Sequence, residues 1–302
     1  MPGQRERRLL VIADDIGMGP NTSAGILQLG SQGVLTGSAL LVNSPHTRDA
    51  IRRWRQLGAS LELGWHPNLT LDTPLASPAQ VPSLIQSDGT FWPLPIFLRR
   101  WFLGLLEPGE IEVELRLQLH RFADLVGHYP RFLNCHQHTC LFSPIGEILF
   151  NVLMELPFRP YVRRIQEPWN VVRTLPGARL KRALLGWLGR RMSRLQEGLG
   201  FPGNDWLAGI ASPACIENPE FFIRWLEAMP GDTVEIMCHP GHFDATLIGR
   251  DCTETDGLLQ QRVNELRWLS HPSFLEAVSA AGFRLVSPSE FIHADRRVAK
   301  CA

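Results

Sequence analysis

Two adjacent aspartates, Asp14 and Asp15, follow the apolar run from Leu9 to Ala13. A single aspartate in such a place most often caps the helix that follows. Two side by side at the end of a buried strand cost more, because like charges in a partly desolvated site raise each other's pKa. A cation or a catalytic proton normally justifies the pair. His66 ends a second run, Leu61 to Trp65; alone, such a histidine is more often a satisfied core residue than a ligand. His136 and His138 are spaced i, i+2, which on a strand turns both imidazoles to one face. Combined with Asp15 and His66, they supply the two-imidazole, one-carboxylate set of a hydrolytic metal centre, with positions open for water and substrate. His239 follows the run Val234 to Cys238, and its isolation favours a proton donor over a further metal imidazole. His46, His120, His128, His271 and His293 fall in helices or polar loops and read as ordinary residues; His242 stays open.

These residues share a position relative to the elements that must hold them. Short runs rich in Val, Ile and Leu recur at Leu9–Ala13, Leu35–Val42, Leu61–Trp65, Phe132–Cys135, Tyr161–Val162, Val234–Cys238 and Phe283–Val286. Bounded by Gly, Pro, Asp or Asn, they have the form of buried parallel strands. Helical stretches lie between them: Asn21–Gln32, Pro45–Leu57, and Glu110–Val126 ahead of Gly127. In the last, Ile111, Val113, Leu115, Leu117 and Leu119 also alternate as in a strand, but length and composition favour helix. The alternation predicts an α/β fold, a distorted (β/α) barrel of TIM-like type with about seven strands. Residues 1–302 are expected to form a single catalytic barrel domain, with insertions near 73–109 and 167–215, where no clear strand is legible. In parallel α/β folds the carboxyl ends of the strands open onto one face. Asp14-Asp15, Asn43, His66, His136 with His138, Arg163-Arg164 and His239 all follow such runs and should converge there.

Composition narrows the function classes. Lys plus Arg and Asp plus Glu both number 30 in 302 residues, which argues against nucleic acid as the main partner. None of the 6 cysteines forms a C-x-x-C pair, so neither a zinc ribbon nor a thioredoxin-like site is indicated. They read as reduced thiols of a cytoplasmic protein. The apolar run near the N-terminus is too short for a signal peptide, and the longest apolar stretch, Phe91–Leu98, falls short of a membrane span. One segment points toward a membrane surface. Arg173 to Arg194 contains seven basic residues and no acidic one, with Leu180, Leu184, Leu188, Met192 and Leu195 at helical spacing and Trp187 beside them. Such a helix either packs its apolar side on the barrel or lies in a membrane interface, with Phe91–Leu106 beside it, a peripheral contact at the inner membrane face.

In order, the pieces Ile12-Ala13-Asp14-Asp15-Ile16-Gly17, Gly33 to Thr36, Leu41-Val42-Asn43, Gly64-Trp65-His66 through Thr70, Asn134 to His138, and Val234 to Gly241 with Arg262, Glu265 and Leu266 resemble the YdjC-like carbohydrate deacetylases. That family includes the chitooligosaccharide and hopanoid-associated deacetylases. The resemblance covers roughly residues 8–290 and implies a metal-dependent hydrolase that removes an N-acetyl group from an acetylated amino sugar, either an oligosaccharide or a glycolipid. Carried over, Asp14 matches the general base and His239 the general acid. Asp15, His66 and His136 match the metal ligands, with Mg2+ expected and Zn2+ admissible for mixed imidazole and carboxylate donors. A homodimer is compatible with this reading. The sequence departs from the family pattern at Ile16, Gln137 and Cys140. The competing readings are another metal hydrolase on the same barrel, such as a phosphoesterase, and a non-catalytic sugar-binding protein.

Overall fold

Strand β1 (Arg7–Ile16) organises the sheet. Its residues are apolar on both faces because a parallel strand is covered on both sides. Leu9, Val11 and Ala13 face the helices, while Leu10 and Ile12 face a small inner cluster with Ala39, Phe132, Tyr161, Val286 and Phe291. A computed structural model describes residues 6–58 and 61–292; His293 and Cys301 lie outside the described residues.

The other strands are β2 (Gly37–Leu40), β3 (Glu62–Trp65), β4 (Phe132–Leu133), β5 (Tyr161–Val162), β6 (Trp206–Ala208), β7 (Thr233–Cys238) and β8 (Phe283–Leu285). All pairings are parallel, in the order β5-β4-β3-β2-β1-β7-β6. The curled, seven-strand path is the distorted barrel that the sequence predicts, with one exchange of members. β6 lies inside 167–215, where no strand is expected, whereas the anticipated last strand, β8, stands off the path. It pairs with Arg7–Leu9 on the edge of β1 that β2 occupies further along. Among the described residues no ladder joins β5 and β6. Asn204 closes that gap, accepting from the Arg164 N–H and donating to the Arg164 carbonyl, both at 2.8 Å.

The helices are α1 (Pro20–Ser31), α2 (Thr47–Gln56), α3 (Leu94–Phe102), α4 (Pro108–Val126), α5 (Ile145–Leu153), α6 (Trp169–Thr174), α7 (Arg179–Gly198), α8 (Pro213–Ile216), α9 (Phe221–Ala228), α10 (Leu258–Leu269) and α11 (Pro272–Ala280). Helix, not strand, prevails in α4: Ile111, Leu115, Leu119 and Phe122 are its buried face, and Gly127 ends it at φ 97°, a left-handed cap that glycine adopts without steric cost. The barrel interior is narrow. An added Cβ at Gly37 or Gly64 would collide with the Phe132 ring, so these two glycines make room for that inner side chain.

Candidate metal centre at the barrel mouth

The two aspartates end β1 with different jobs because the strand breaks its own alternation between them. Asp15 has φ 72°, and the β1–β2 register shifts between Ala13 and Ile16. A left-handed aspartate costs about 1–3 kcal/mol and persists only where its surroundings over-determine it. Asp14 continues the inward row of Leu10 and Ile12, while Asp15 meets His66, His136 and Arg262.

Asp15 Oδ1 lies 3.2 Å from His66 Nε2 and 3.2 Å from His136 Nδ1. All three side chains are buried, and their ligand atoms lie within 4.8 Å of one another. His66 Nδ1 is 2.7 Å from the Asn134 carbonyl oxygen, which can only accept. The ring proton therefore sits on Nδ1, and the Nε2 lone pair faces Asp15, the arrangement that metal-bound imidazoles commonly show. Asp15 Oδ1 has no hydrogen-bond partner, nor has His136 Nε2, and buried polar atoms are normally satisfied. Donors each about 2.1 Å from a shared ion sit roughly 3.0–3.4 Å apart. The orphaned oxygen, the spacing and the donor chemistry all fit a divalent cation.

The carboxylate's other oxygen, Oδ2, accepts from Arg262 Nη2 at 2.7 Å, and the same guanidinium reaches Asp251 at 3.1 Å. Burial alone would raise the Asp15 pKa. The Arg262 charge outweighs it and holds the carboxyl well below its usual range. His136 moves the other way: burial lowers it, but Asp15 and Asp251 raise it overall.

Asp14 sits beside this group in its own network. Arg163 donates to both its oxygens, Nη1 to Oδ2 at 2.6 Å and Nη2 to Oδ1 at 2.8 Å. Arg163 Nε also donates to Glu235, whose second oxygen accepts from the Tyr161 hydroxyl at 2.6 Å. Burial tends to neutralise Asp14, yet the Arg163 charge keeps its pKa below the ordinary value. His239 Nε2 is 3.8 Å from Asp14 Oδ2, and the His239 backbone N–H donates to Glu265. His239 is thus next to Asp14 and outside the three-donor cluster.

His138 departs from expectation. His136–Leu141 is a 3-10 turn rather than strand, and Gln137 and His138 both have left-handed backbone, φ 50° and 57°. The i, i+2 rule for strands therefore fails, and His138 does not share a face with His136. Burial and the Arg163 charge lower its pKa to about 3, which makes it a neutral imidazole. Asn43 is also structural: it donates to the Leu71 and Thr73 carbonyls and accepts from Asn68, which shapes the loop after His66. His242 is exposed.

No role for Arg163, Glu235, Arg262 or Asp251 is legible in the linear chain. Glu235 carries a visible signal, a lone carboxylate in the otherwise apolar stretch Val234 to Cys238. A buried strand tolerates such a charge only opposite a partner.

A candidate divalent-metal centre at the carboxyl mouth of a parallel β/α barrel is thus the class of site in hand. The YdjC-like protein family matches residues 8–280, and the chain belongs to that family. It is 28% identical over 291 residues to a chitooligosaccharide deacetylase of Klebsiella pneumoniae subsp. pneumoniae, covering 93% of this chain and 97% of the relative. It is 25% identical over 321 residues to a carbohydrate deacetylase of Danio rerio, covering 95% and 99%. A crystal structure from Enterococcus faecalis V583, provisionally named a cellobiose-phosphate cleavage protein, superposes with a TM-score of 0.75 at 22% identity, covering 94% of this chain and 98% of that one. That likeness supports the fold.

Proposed function

We propose that the protein is a metal-dependent hydrolase that removes the N-acetyl group from an acetylated amino sugar. The carrying observation is the orphaned Asp15 Oδ1 between two imidazole nitrogens at 3.2 Å, with a paired aspartate and a half-buried histidine beside it. Membership of the YdjC-like family and the deacetylase names of its relatives support the choice of an amide of a sugar as substrate.

In this reading Asp15, His66 and His136 hold the cation. When bound, Mg2+, or Zn2+ given the two imidazoles, supplies Lewis-acid polarisation of the acetamide carbonyl and acidification of a water. The protein's own groups move the protons. Asp14, kept ionised by Arg163, accepts a proton from the attacking water as its oxygen bonds to the carbonyl carbon. His239 gives a proton to the amine nitrogen as the C–N bond breaks, leaving acetate and a free amino sugar. Each proton transfer by a positioned group is worth about 10²–10⁴-fold in rate. Arg163 also fixes the Asp14 carboxylate in one orientation, which a mobile side chain would lack.

The test is acetate release from N-acetylglucosamine oligomers after chelation and after readdition of Mg2+ or Zn2+. Metal-restored release is expected. Absence of release with every divalent metal, or hydrolysis of p-nitrophenyl phosphate in its place, overturns the reading.

A further inference from the structure

Helix α7 carries more large apolar residues than its packing on the barrel uses. Its buried face holds Arg182, Gly186, Gly189, Met192, Ser193 and Gln196, with Leu185, Leu188 and Leu195 packed against the core beside them. The glycines on that face let the backbone approach closely: an added Cβ at Gly189 would overlap the Ile165 carbonyl oxygen. Arg182 is tied to buried Glu167 at 2.7 Å, which fixes the helix's rotation. The opposite stripe, spaced i, i+4, i+7, i+11, is Leu180, Leu184, Trp187 and Arg191. Leu180 is 89% exposed, Leu184 57% and Trp187 64%. Large apolar residues on the solvent-facing midline of a helix normally mark an interaction surface.

Charge indicates what covers it. No acidic residue occurs between Glu167 and Glu197, whereas Arg179, Lys181, Arg190 and Arg194 flank the apolar stripe. A second copy docking isologously through this face would set these cations against one another with no acidic residue of the helix between them. An apolar stripe with a tryptophan and a basic border matches an anionic bilayer, with the aromatic at headgroup depth and the cations on the phosphates.

Helix α7 packs against the turn that carries His136, and Arg191 is 3.5 Å from Glu147. Next to that turn, Trp101 of α3 donates to the Ser143 carbonyl at 2.8 Å, and its neighbour Phe102 is 81% exposed. We propose that the protein docks peripherally on anionic lipid bilayers through the exposed Leu180–Leu184–Trp187 stripe of α7 and its basic border. This does not depend on the deacetylase reading, because its readout is binding.

The experiment is co-sedimentation of the full chain with vesicles of phosphatidylcholine alone and of phosphatidylcholine mixed with phosphatidylglycerol. Binding is expected to the mixed vesicles only, and it should weaken as salt rises. Arg190→Glu/Arg194→Glu should lower the partition coefficient by about 25-fold or more, taking about 1 kcal/mol for each basic residue near the surface and tenfold per 1.4 kcal/mol. Leu184→Glu should also release the protein. Both variants alter exposed positions and should keep the wild-type circular dichroism and melting temperature. No sedimentation with mixed vesicles at low salt, or binding unchanged in both variants, overturns the proposal. So does a concentration-dependent dimer that Leu184→Glu abolishes, which would assign the face to a second copy.

Discussion

Arg163 binds Asp14 through both terminal nitrogens, at 2.6 and 2.8 Å, across 149 residues of sequence. The same guanidinium also holds Glu235, so one buried cation faces two buried carboxylates. Removing it leaves both uncompensated. Arg163→Ala is expected to cost about 3–5 kcal/mol of stability, as loss of one partner of a buried pair does. Urea unfolding of the variant measures this, and a loss under about 1 kcal/mol would mean that the network carries little.

Metal binding can be separated from folding. His66→Ala and His136→Ala should each abolish uptake of divalent metal, read by calorimetric titration, while circular dichroism stays that of the wild type. Full metal occupancy in either variant would place the cation elsewhere.

Proton transfer gives a different signature. Asp14→Asn should retain the metal yet lose about 10²–10⁴-fold in turnover. His239→Ala should remove the basic limb of the pH–rate profile, because the group that must carry a proton to the amine is gone. A wild-type rate in Asp14→Asn, or an unchanged basic limb in His239→Ala, would remove that role.

A stability test lies away from the site. Asp244 Oδ2 accepts from the Asn21 and Thr22 N–H groups at the start of α1, both at 2.8 Å, and its other oxygen accepts from the Thr246 hydroxyl at 2.7 Å. Burial would raise its pKa, but the hydrogen bonds from Thr246, Thr22 and Asn21 hold it below 3.8. A carboxyl depressed on folding contributes stability above its unfolded pKa and loses it as pH falls through the folded value. Asp244→Ala should therefore cost about 1–2 kcal/mol at neutral pH, the size of a lost helix cap. The gap between variant and wild type should narrow below pH 3.8. Melting temperatures across that range check it, and a gap independent of pH would refute the ionic contribution.

The parallel α/β pattern, the distorted barrel and the five residues Asp14, Asp15, His66, His136 and His239 were legible in the linear chain. Apolar runs of the right length report buried strands directly, and in such a fold the residue after each strand belongs to one common mouth. Three features were decided by the tertiary structure. β6 is three residues long and is recognised by its parallel partner β7 rather than by any local period. His138 escaped the strand rule because spacing predicts facing only where the backbone is regular, and φ of 50° and 57° at Gln137 and His138 turned the chain. In α7, Leu188, Met192 and Leu195 pack on the core as their spacing suggests, whereas the Arg182–Glu167 pair and the Gly189 approach to Ile165 leave Leu180 and Leu184 on the outward side. Periodicity gives the relative angles of side chains around an axis; the rotation of that axis is set by partners distant in sequence, and only the folded chain brings them together.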